Sequence, residues 1–216
     1  MINLKVNRII RYLLISDLVF WIGWGLISPI LAIYVVRQVH GGDEMVVGIA
    51  TSIYWILLSV LRVPLGVYLD GKGNKKLNYY YMTAGLFAAS FISFGFIFAT
   101  LPWHLYVLQG LHALAMVANF TGWSALFTRH IDKGREATEW GLSATAVGLG
   151  TGISALVGSW VAAQFGFKTV FLFVGILGLI GSFLLLVIRK DMDKKAARGV
   201  YFNFRDFIQK GGEGSA

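Results

Sequence analysis

The chain contains no cysteine and little charge. Its 216 residues include 11 acidic and 19 basic side chains, 14% charged in all. A soluble domain carries about 25%. The absence of cysteine excludes a disulfide framework, a thiol nucleophile and any Cys-ligated zinc or iron–sulfur centre. The shortage of charge excludes an ordinary cytosolic enzyme and a disordered chain. Apolar residues take the space, at 56% with a mean hydropathy of +0.67. Hydropathy therefore decides the class before length, which alone would allow one or two domains.

Six apolar runs stand out: Tyr12–Val36, Met45–Leu69, Leu77–Thr100, Trp103–Thr128, Trp140–Gln164 and Thr169–Ile188. Each is long enough to cross a ~30 Å hydrocarbon core as a helix. None shows the period-2 alternation of a membrane barrel. The first run follows basic residues as a signal peptide would. It is too long for that role and has no small-residue cleavage site, so it reads as a retained helix. The expected fold is an all-α six-transmembrane-helix bundle over residues 1–190, with a basic, amphipathic tail over 191–216.

The connections alternate in charge. Lys5, Arg8 and Arg11 precede the first run. Lys72, Lys75 and Lys76 join the second to the third, and Arg129, Lys133 and Arg135 join the fourth to the fifth. The tail adds Arg189, Lys190, Lys194, Lys195, Arg198, Arg205 and Lys210. The opposite side carries Arg37 and Lys168. The positive-inside rule puts both termini in the cytoplasm, the expected site being a prokaryotic plasma membrane. The +8 net charge thus reports topology, and no compact basic domain is present to bind nucleic acid. Val200, Tyr201, Phe204, Phe207 and Ile208 form an amphipathic stripe fit to lie on the inner leaflet.

Polar residues inside the runs recur at helical spacing. The first run aligns Asp17, Trp21, Trp24 and Ser28. The fourth aligns Gln109, His112, Met116, Asn119 and Trp123. The second aligns Ser52, Trp55, Ser59, Arg62 and Gly66. Asp17 and Arg62 are the ionisable pair. Counting from Arg11 and from Leu69, both lie about 9–10 Å deep at 1.5 Å per residue, on antiparallel neighbours, so they are placed to pair. The pair is either structural or part of proton or cation coupling or gating, or Arg62 snorkels to the cytoplasmic headgroups instead. His112 is the one histidine deep in a run, and is either a proton carrier or a packed hydrogen-bonding group. The tryptophans suit an aromatic wall for apolar or cationic ligands, or plain helix packing. No metal constellation, nucleophile triad, phosphate loop or nucleotide fingerprint is visible. Neither an enzyme nor a cofactor or metal is expected.

The connection after the second run reads Gly66-Val-Tyr-Leu-Asp70-Gly71-Lys72-Gly73-Asn74-Lys75-Lys76. A glycine, an acid four later, a glycine three further and paired basic residues resemble the signature turn of the major facilitator superfamily, with Gly71 where a basic residue is usual. The first run, with Gly23, Gly25 and Pro29, is similar to that of drug/proton antiporters, Ala32 standing in place of a second proline. Gln109-Gly110 resembles another family motif, whose arginine is replaced by Tyr106. The resemblance implies a 3+3 inverted repeat. The first and fourth helices would line a cavity, the second and fifth would form a seam, and the third and sixth would face outward. It further implies that Gly66, Asp70, Gly73, Lys75 and Lys76 form a cytoplasmic gate. The cavity would use Trp21, Trp24, Ser28, Gln109, His112, Met116, Asn119 and Trp123. Family members have two six-helix halves, and this chain matches one. The expectation is a half-transporter in the lipid bilayer, moving a small molecule by alternating access as a homodimer, with Gly66, Gly141, Gly148, Gly152 and Gly158 at the seam. The alternatives are a non-transporting partner-binding membrane module and a piece of a twelve-helix transporter.

Overall fold

A computed structural model describes residues 6–193. The tail stripe from Val200 to Ile208 lies outside the described residues. Every regular element among them is helical: α1 Arg8–Ile27, α2 Leu31–Gln38, α3 Glu44–Lys72, α4 Lys75–Gly95, α5 Pro102–His130, α6 Glu136–Phe165 and α7 Phe167–Leu186. Short 3₁₀ turns follow at Phe96–Phe98 and Arg189–Asp193. Five apolar runs became one long helix each. The first was expected as one helix and is two. Pro29 has no N–H to donate to the previous turn, and the chain breaks over Ser28–Ile30 before α2 restarts. The last run ends as helix at Leu186 and turns through the 3₁₀ segment, where Asp191 meets Arg8 at 3.5 Å.

Helix starts follow local chemistry. Asn7, Asp43 and Asn74 each accept a hydrogen bond from a first-turn N–H of α1, α3 and α4, satisfying donors that would otherwise be orphaned. Five helical segments are long and apolar enough to cross a membrane: Arg8–Ile27, Glu44–Lys72, Lys75–Phe98, Glu136–Phe165 and Phe167–Asp191. α5 has the length, at 29 residues. Gln109, His112 and Asn119 lower its hydropathy, and all three are buried inside the bundle.

Packing follows a regular scheme. α1 packs on α6 and α7, α5 packs on α3 and α4, and α4 packs on α7. Exchanging the first three runs with the last three leaves these pairings unchanged, as two related three-helix units would. The core has two parts. Ile10, Leu13, Tyr79, Met82, Phe127 and Leu185 fill the end near the chain termini. Tyr34, Phe96, Leu105 and Phe171 fill the other, where the Tyr34 hydroxyl lies 2.8 Å from the Phe96 carbonyl. α3 and α6 are the least covered helices, with Trp55, Val60, Val63 and Val67 of one and Leu149, Ile153, Leu156 and Trp160 of the other exposed.

The glycines of α6 divide between two faces. Gly158 was expected at a seam between chains. It instead lies against α1, where an added Cβ would meet the Leu26 carbonyl oxygen at 2.0 Å. Gly141, Gly148 and Gly152 have open space around them. Gly158→Ala should therefore force α1 and α6 apart and cost about 1–3 kcal/mol, whereas Gly152→Ala should stay within about 0.5 kcal/mol. Thermal unfolding of the two variants in detergent checks this, and equal melting temperatures would contradict the assigned α1–α6 contact.

Candidate functional site

α1 presents Asp17, Trp21 and Trp24 along one half-buried stripe, and Ser28 is exposed at the break before α2. Aromatic rings of α3 and α5 meet this stripe, and a second group joins α5 to α6. Trp21 stacks on Phe120 of α5, centroids 6.2 Å apart. Trp24 stacks on His112 at 4.9 Å, and Tyr54 of α3 lies 5.5 Å from the imidazole and 6.4 Å from Trp24, so the three rings form one cluster. Trp123 stacks on Phe127 at 4.6 Å, and Trp140 of α6 packs edge-on to Phe127 at 4.7 Å. The result is an aromatic face running across α1, α3, α5 and α6, a surface that attracts apolar and cationic groups.

The polar stripe of α5 lies behind this face. Gln109, His112, Met116 and Asn119 are each at most 5% exposed. Asn119 clamps α5 to α4, its Nδ2 donating to the Met82 carbonyl at 3.0 Å. The two helices sit close because Gly122 lies against the Asn78 carbonyl and the Met82 amide. His112 has no hydrogen-bond partner on either ring nitrogen, nor has Gln109 on Oε1. His112 is held by packing, with Trp24 and Tyr54 against its ring.

Asp17 and Arg62, expected to pair, are not joined. The indole of Trp21, one turn on, is the hydrogen-bonding group beside Asp17. Arg62 is exposed on α3, donates to Ser124 Oγ of α5 at 3.1 Å, and lies 5.5 Å over the Phe120 ring. The contacts run from Asp17 through Trp21 and Phe120 to Arg62.

The turn between α3 and α4 is fixed from both sides. Gly73 closes α3 in the left-handed conformation, φ +58°, which favours glycine. Its N–H donates to the carbonyls of Leu69 and Asp70. Asp70, acidic at a helix C-terminus and so opposed by the helix dipole, is met by Arg129 at the end of α5, 3.6 Å away. Lys75 Nζ lies 3.4 Å from His130 Nε2, while His130 Nδ1 is 2.7 Å from the Leu126 carbonyl. A neutral ring protonated on Nδ1 fits both contacts. Asn7 donates to the His130 carbonyl at 2.6 Å and to Asp132 at 3.2 Å, tying the start of α1 to the same cluster. Gly66 faces α5, where an added Cβ would come 3.8 Å from Thr121. Lys76 is exposed.

The family profile of the Major Facilitator Superfamily matches residues 13–203. The chain belongs to the Major Facilitator Superfamily. It is 24% identical over 199 residues to an uncharacterized MFS-type transporter of Methanocaldococcus jannaschii, covering 87% of this chain and 47% of that protein. It is 25% identical over 186 residues to the multidrug resistance protein MdtG of Dickeya zeae, covering 85% of this chain and 44% of that protein. The chain thus spans about half the length of the curated relatives it matches.

Within this superfamily member, sequence reasoning missed Tyr54, Phe120, Trp140 and Arg129. Arg129 was visible as a basic residue next to a loop, but only the fold brings it to Asp70. Tyr54 sits one residue before Trp55, on the buried side of α3. Asp70→Asn and Arg129→Gln should each loosen the end of α3 and speed thiol labelling of a cysteine placed at Leu69, which is fully buried. The charge swap should restore slow labelling. The exposed setting of Asp70 limits the pair to about 0–1 kcal/mol. Equal labelling rates in all variants would contradict a role for the pair in holding the end of α3.

Proposed function

We propose that the chain is one six-helix unit of a transporter that moves a small molecule by alternating access, and that it works when a second unit covers α3 and α6. The carrying observation is the character of those two faces. α3 turns Ser52, Ser59 and Arg62 outward, and α6 turns Gly141, Thr145, Gly148 and Gly152 outward. A guanidinium in hydrocarbon costs at least ~2.5–3.5 kcal/mol on insertion scales, and an aqueous path or a second protein surface removes that cost. Open glycines allow another helix to come close. Both faces also carry exposed apolar side chains, Val60, Val63 and Val67 of α3 and Leu149, Ile153 and Leu156 of α6, whereas the outward faces of α4 from Tyr80 to Phe91 and of α7 from Leu172 to Phe183 carry no charge and suit lipid.

The second unit is read as a second copy. The distribution of basic residues supports both termini on the cytoplasmic side, so two copies inserted alike can meet about a twofold axis along the membrane normal. Because the relatives are about twice as long, the other half of a longer chain would serve the same faces. The aromatic face favours an apolar or cationic substrate, in line with the multidrug relative, and export from a prokaryotic cell. Asp17 is the proton or cation site in this reading. Trp21, Trp24 and Trp123 touch the substrate, and His112, Gln109, Met116 and Asn119 support them from behind. The turn from Gly66 to Lys76 is the cytoplasmic gate.

Asp17→Asn should abolish gradient-driven movement of a lipophilic cation in liposomes while leaving its binding and exchange. Unchanged accumulation would remove Asp17 from coupling. Cysteines at Ser59 and Gly152 should crosslink between chains in native membranes. Crosslinking confined to Phe91 or Ile176 would overturn the seam, and absence of transport for a labelled compound library would favour a non-transporting, partner-binding module.

A further inference from the structure

We infer that the groove between α4 and α5 binds one acyl chain of an anionic phospholipid. This rests on the family placement and not on the transport reading. The groove has a volume of about 540 Å³. Its floor is made of small residues, Ala84, Gly85 and Ala88 of α4 with Ala115 and Ala118 of α5. It exists because the helices are close: a Cβ on Gly85 would meet the Ala115 carbonyl oxygen at 2.5 Å. Small side chains then leave a trough along the seam, walled by Leu114 and Ile92. In a bilayer such a trough is filled by hydrocarbon.

Length and charge select the occupant. The α4 side of the trough runs from Leu77 to Ile92, about 22 Å at 1.5 Å per residue. That exceeds one leaflet's share of the ~30 Å hydrocarbon core, so a single lipid chain can lie along it. The end at Tyr80 and Tyr81 is where α3 finishes. Tyr68 packs 6.4 Å from Tyr81, and Lys72 Nζ lies 5.7 Å from the Tyr68 ring. Lys75 and Lys76 open α4 at the same level. Asp70 is the single acid from Leu69 to Tyr81, and Arg129 meets it. Tyrosines at the interface with an excess of lysine form the surface that holds an anionic headgroup.

The test is native mass spectrometry of the full chain in mild detergent, incubated with equal amounts of phosphatidylglycerol and phosphatidylcholine bearing the same chains. One phosphatidylglycerol should be retained in preference. Ala88 is exposed in the trough, so A88W fills it without entering the core, and the retained lipid should be lost. Lys72 is exposed, so K72Q alters no buried packing. A basic residue near an anionic headgroup is worth about fivefold, so the preference for phosphatidylglycerol should fall by about fivefold. Equal retention of both lipids by the unmodified chain, retention by A88W equal to it, or an unchanged preference in K72Q would each overturn the assignment. The lysine variant decides the matter if A88W fails to fold.

Discussion

The contact between α4 and α5 orders much of this structure. Gly85 and Gly122 bring the two backbones together until no side chain fits between them. Asn119 then locks the contact with a hydrogen bond to the Met82 carbonyl. In hydrocarbon the alternative for that amide is no partner at all. The contact turns the polar stripe of α5 toward the bundle interior and places Phe120 and Trp123 beside Trp21 and Trp140. The aromatic face therefore depends on it, while the direct α3–α5 contact brings Arg129 to Asp70.

The same logic sorts the outer surfaces. α4 and α7 expose phenylalanine, leucine and isoleucine. α3 and α6 also expose valine, leucine, isoleucine and tryptophan, but interleave them with hydroxyls, open glycines and Arg62. Those polar and open positions carry the proposed second unit. Arg62 is partly accommodated within the chain by Ser124 and Phe120, which is how one unit can present a cation without a carboxylate partner.

Much of the architecture was legible in the sequence because the bilayer imposes it. Long apolar runs, the glycine–acid–basic turn and the polar stripes all leave patterns readable along one dimension. Side-chain partnership leaves none. Equal depth made Asp17 and Arg62 look like partners, but depth says nothing of rotation about the helix axis, and the rings of Trp21 and Phe120 lie along the route between them. Helical spacing put Gln109, His112, Met116 and Asn119 on one stripe of α5. It could not say that α5 packs on two helices at once and so turns that stripe inward. The break at Pro29 was present as a residue and overlooked as a stop, because the apolar run continues through it.

The central claim is that one six-helix unit is half of a working assembly. Counting fluorescently labelled chains by stepwise photobleaching in single liposomes that also report transport tests it most directly. The account predicts two bleaching steps in transporting liposomes and no transport in those with one. Transport in liposomes that hold a single chain would contradict it.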